Sequence, residues 1–99
     1  MKTFFGSTFM KTKLLEEVGI NYPIKLEYYK ITNNEKAKYG IYVVKTEYQK
    51  EKTKIENKEI QYLSNNEKKV EEILNILKES EVTPIAVEDV LSDFKVKFI

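Results

Sequence analysis

YGIYVVKTEY, residues 39–48 of a 99-residue chain, has apolar side chains on both of its parities: Ile41 and Val43 on one, Tyr42, Val44 and Tyr48 on the other. Side chains alternate between the two sides of a β-sheet, so this pattern predicts a central strand with neighbours on both edges. The flanking sequence supplies them. IKLEYYKI (24–31) sets Ile24, Leu26 and Tyr28 against Lys25, Glu27 and Tyr29, the period of a half-buried strand. TKIENKEIQYL (53–63) supplies another, and its mixed phase, Ile55 and then Ile60 and Tyr62, predicts a bulge or a kink. The connections are short and polar, TNNEKAK being the first, which favours an antiparallel meander.

The helical signals lie mainly after the strands. In LSNNEKKVEEILNILKES, Val70, Ile73, Leu74 and Leu77 fall at i, i+3, i+4 and i+7 and predict a helix over 67–79, with Ser64, Asn65 or Asn66 as its cap. VTPIAVEDVLSDF (82–94) then has a start signal in Thr83 and Pro84 and a second stripe of Val87, Val90, Leu91 and Phe94. The final FKVKFI alternates again, as a short fourth strand or an apolar tail. Near the N-terminus, TKLLEEVG predicts a helical turn ended by Gly19. The expected fold is α+β: a three-stranded or four-stranded antiparallel meander packed against one or two C-terminal amphipathic helices. Residues 14–99 are expected to form the domain and 1–13 an N-terminal extension, of which the first nine residues precede a second methionine, Met10.

A chain of this length can build one core. Absent residues narrow its chemistry. There is no Cys, His or Trp, and all 17 basic residues are Lys. That removes disulfides, thiolate nucleophiles and zinc–thiolate sites, the side chain that titrates near neutrality, and the guanidinium fork used for phosphate and guanine. Three glycines are too few for a phosphate cradle. The expectation is a protein that is not an enzyme and needs no cofactor or metal. The net charge is +1, but residues 1–70 carry +5 and residues 71–99 carry −4, so the chain is electrically bipolar. The opening MKTFFGSTFMKTK lacks the apolar run and small-residue cleavage site of a secretion signal, and no segment approaches the ~20 apolar residues of a membrane span. A cytoplasmic protein with no membrane role is expected.

Three features stand as candidate sites. Glu88, Asp89 and Asp93 are the densest carboxylates, and the first two suit the positive end of a helix better than a cation, which wants six or more oxygens. The mixed-sign KEKTKIENKE (50–59) reads as a solvated hairpin edge whose lysines discourage edge-to-edge pairing. Seven tyrosines are many for one small domain. Of these, Tyr29, Tyr42 and Tyr48 are the residues expected to bind a partner, a larger protein, because tyrosine is enriched where proteins meet. With Lys25, Lys30, Lys45 and Lys54 the same tyrosines suggest a stacking face for single-stranded nucleic acid, a weaker alternative because Glu27, Glu47, Glu51 and Glu56 are interleaved with them. A homodimer built by pairing FKVKFI strands is a third reading.

The order of an EYY strand, a YG strand and a closing VTP…EDV…DF element resembles a family of small uncharacterised proteins from clostridia and related low-GC bacteria. The likeness covers residues 24–94 and leaves 1–23 and KVKFI outside. That family has no assigned function, so the resemblance implies no catalytic residue.

Overall fold

The computed structural model describes residues 1–34 and 38–93. Its strands are β1 (Lys2–Phe9), β2 (Ile24–Thr32), β3 (Tyr39–Tyr48) and β4 (Thr53–Ser64), and its helices are α1 (Thr12–Glu17), α2 (Glu67–Glu79) and α3 (Val87–Asp93), with a 3₁₀ turn at Pro84–Ala86 leading into α3. The sheet is a fully antiparallel meander in the order β1-β2-β3-β4. The fold is α+β, with four strands among the described residues. The fourth is β1, from the stretch expected to be an extension. Residues 94–99, read as a further strand, lie outside the described residues, as does Phe94 of the second helical stripe.

Alternation explains which face is covered. Leu26, Tyr28, Ile41 and Val43 are wholly buried on one face, where α2 lays down Val70, Ile73, Leu74 and Leu77. Val82, Val87 and Leu91 complete that core, and the 3₁₀ turn sits against β3 and β4. α3 continues from that turn, burying Val87 and Leu91 of its stripe and reaching Lys58 of β4 through Glu88, while Glu88, Asp89 and Asp93 are exposed. Asn66 caps α2 by accepting from the amide of Lys69. Lys30 fastens α2 to the sheet: its ammonium donates to Glu67 at 2.6 Å and to Glu71 at 2.9 Å, and these bonds hold it above the usual lysine range.

Two irregularities set the register. Between Tyr39 and Ile41 two steps along β3 face four along β4, from Ser64 back to Ile60, which is the bulge expected from the phase of β4. It returns Leu63 to the core and leaves Tyr62 exposed. Gly40 lies in its hollow, where an added Cβ would run into the carbonyl oxygens of Ile60 and Gln61. In β1, Phe4 pairs with Tyr29 and Gly6 with Tyr28, so one extra residue bulges out there. Phe5 packs on the core, and Phe4 points to the opposite face.

Candidate functional site

The site is the face of the sheet that no described helix covers, which the odd positions of β2 and the even positions of β3 share. Register places Tyr29 opposite Tyr42 on β3 and opposite Phe4 on β1. The rings touch in series. Phe4 and Tyr29 meet edge to face with centroids 5.6 Å apart, and Tyr29 and Tyr42 are tilted at 5.6 Å, arrangements favoured by the ring quadrupoles. Phe4 is 55% exposed, and the two tyrosines are half-buried by their neighbours. Val44 and Ile55 extend the apolar surface along β3 and β4, Ile55 being 61% exposed.

Charges border the rings and are already paired. The Lys2 ammonium sits 3.8 Å from the centre of the Tyr42 ring and 2.8 Å from the Glu59 carboxylate. The bond to Glu59 raises its pKa above the usual lysine value. The Tyr29 hydroxyl donates to Glu27 at 3.2 Å, and partial burial together with that carboxylate raises the phenol's pKa. The face is therefore a ladder of touching rings flanked by the Lys2–Glu59 pair and the Tyr29–Glu27 bond, and it offers apolar area with a few polar edges.

Of the three tyrosines expected to meet a partner, Tyr29 and Tyr42 are in contact. Tyr48 is on the same face, exposed, but six residues along β3 from Tyr42, roughly 20 Å away at strand rise. Phe4 and Lys2 belong to the site and were missed. Their signal was the alternation of Lys2 and Phe4 against Thr3 and Phe5, which Gly6 interrupts. The lysines named with the tyrosines are mostly elsewhere. Lys25 shares the face, but Lys30 is held by α2, and Lys45 and Lys54 bond to Glu47 and Glu56 on the opposite face.

Tyr28 is wholly buried, and Tyr22 donates from beyond the end of the sheet to Glu47 at 2.7 Å. Beside Tyr22, between the end of β1 and α1, lies a mainly apolar cleft of about 530 Å³ walled by Phe9, Leu15, Ile20 and Pro23. Glu88 is spoken for by an ion pair with Lys58. No described helix is long and apolar enough to cross a membrane.

A family model described as a family of unknown function (DUF6514) matches residues 1–96. The chain belongs to that family. The match takes in residues 1–23, which the sequence resemblance left outside, in keeping with the place of β1 in the sheet. No curated protein and no solved structure matches the chain.

Proposed function

We propose that this member of the family is a non-enzymatic protein-binding module, a small cytoplasmic adaptor or inhibitor that docks on a larger protein through the aromatic face of its sheet. The observation that supports it is the Phe4–Tyr29–Tyr42 ladder, three aromatic rings in contact on a face that no described helix covers. Aromatic side chains held by their neighbours lose little conformational freedom on docking, which makes them efficient anchors.

The single-stranded nucleic-acid reading draws on the same rings but lacks its electrostatics. A strand of phosphates needs a positive track beside the stacking platform. Here Glu27 and Glu59 lie among the rings, Lys2 is neutralised by Glu59, and of Lys25, Lys30, Lys45 and Lys54 only Lys25 shares the face.

The test is a quantitative affinity purification from the native cell using wild type and a folded Tyr29→Ala, Tyr42→Ala double variant, with and without nuclease. A protein retained through nuclease treatment and lost with the variant supports the docking face. Recovery of material that nuclease removes, and that salt weakens linearly in log–log form, would move the reading to nucleic acid. A partner bound equally by both forms would place the contact elsewhere.

A further inference from the structure

We propose that two copies of this chain pair through the outer edge of β4, antiparallel about a two-fold axis at Asn57, joining their sheets into one. β4 is the longest strand, twelve residues, and among the described residues it is an outermost strand of the sheet. Most of it is exposed from Thr53 to Glu59. A long open edge presents unpaired backbone groups to any strand that can match it.

The edge is also the wall of a hollow. A cleft of about 460 Å³ is bounded by Glu56, Asn57 and Lys58 and, across from them, by Ile85, Glu88 and Asp89. Consecutive residues of a strand point to opposite faces, so what these three share toward one cleft is the strand's edge. Ile85 is 85% exposed, the most exposed large apolar side chain among those described. A strand seated on β4 would cover it.

Charge selects a second copy as that strand and sets the register. With the axis at Asn57, Glu56, which meets Lys45 and Lys54 within its own chain, lies opposite Lys58 of the other copy, and Lys58, which holds Glu88 in its own chain, lies opposite the other copy's Glu56. Ile55 faces Glu59, and Lys54 faces Ile60. No like charges are opposed. Moving the axis by one residue puts Glu56 against Glu56 or Lys58 against Lys58, which directly opposed strands disfavour. The lysines of this edge therefore do more than discourage pairing: they reject the neighbouring registers and complement one. Both Ile85 side chains then approach the axis, since each sits over its own cleft beside Asn57. The arrangement is isologous and closes on itself as a dimer.

Sedimentation equilibrium of the full chain, from micromolar to millimolar concentration, tests the pairing. The expected result is a concentration-dependent dimer. Glu56→Lys converts two attractive cross-strand pairs into two repulsive ones and should raise the dissociation constant about tenfold or more. Lys58→Glu should do the same, and the combined Glu56→Lys, Lys58→Glu chain should recover the dimer, since the swap restores complementarity. Circular dichroism of each single variant checks directly that it folds. A monomer throughout the range overturns the proposal. So does a dimer indifferent to either single reversal, a double variant that stays dissociated, or a dimer abolished by Tyr42→Ala and untouched by Glu56→Lys.

Discussion

The hydroxyl of Tyr28, in the middle of β2, donates to the backbone carbonyl of Val82 at 2.8 Å, fifty-four residues further along the chain. Val82 in turn donates its amide to Leu77, at the end of α2. One buried phenol thus pins the turn that follows α2 to the sheet that α2 covers. Its burial pushes the phenol's pKa well above the usual range. Tyr28→Phe keeps the ring and leaves the Val82 carbonyl unpaired among apolar neighbours. The expected loss is about 1–3 kcal/mol in urea unfolding, with the slope unchanged. Tyr48→Phe, at an exposed tyrosine, is the control and should lie within about 0.5 kcal/mol of wild type.

Gly40 and Gly6 should respond differently to the same added methyl group. At Gly40 the Cβ would meet the backbone carbonyls of Ile60 and Gln61 inside the β4 bulge, and backbone in a paired strand cannot step aside. Gly40→Ala should cost about 3 kcal/mol or prevent folding. At Gly6 the nearest atom, 3.0 Å away, is the Cδ of Lys78, part of a long side chain that can swing aside. Gly6→Ala should fall within about 0.5 kcal/mol of neutral, with reduced chain entropy in the unfolded state acting in its favour. Paired thermal melts separate the two.

These two glycines also mark how far the fold was legible. β2 and α2 follow from unbroken periodicity, because a single phase of apolar residues serves a single face, and β3 follows from apolar residues on both parities, the mark of a strand with neighbours on both edges. β4 was legible as a strand, and its phase error as a bulge, since Ile60 and Leu63 both reach the core from positions of opposite parity. β1 was not. Its extra residue at Phe5 breaks the alternation that identifies a strand, and its partners on β2 lie sixteen to twenty-nine residues further along the chain, from Phe9–Lys25 to Lys2–Ile31. The Tyr29–Tyr42 contact could be inferred from two adjacent strands once their register was known, whereas adding Phe4 required knowing that β1 existed. Nor can alternation within one strand say that Lys30 will be claimed by Glu67 and Glu71 of α2.

Removing residues 1–9 tests whether β1 is integral. Its loss would bare the edge of β2, uncover the rings of Tyr29 and Tyr42, and take away Phe5, which packs on the core. Burying one phenylalanine contributes about 1.5–3 kcal/mol, so a chain beginning at Met10 should lose at least about 2 kcal/mol and melt with lower cooperativity. An unchanged melting temperature would mean that the first nine residues are an appendage after all.

The Tyr22–Glu47 pair should give the protein a specific acid response. Glu47 is only 6% exposed, and the Tyr22 hydroxyl, at 2.7 Å, is the main influence lowering its pKa, with Lys45 and Lys54 assisting and burial opposing. A carboxylate depressed in the folded state takes up its proton first in the unfolded chain. Its contribution is therefore complete above the ordinary glutamate value of 4.5 and is lost as pH falls through the lower folded value. Tyr22→Phe removes the main cause, so the variant should be less stable than wild type at neutral pH, and the gap should close on acidification as Glu47 becomes protonated in both. Glu47→Gln still accepts from Tyr22 but cannot titrate, and its stability should fall less steeply with acid. The same bond raises the Tyr22 pKa, so wild type should also lose stability as pH rises beyond the usual phenol value of 10. Urea unfolding at a series of pH values checks both limbs: a gap between wild type and Tyr22→Phe that stays constant down to pH values well below 4.5 would separate the pair's contribution from the ionisation of Glu47.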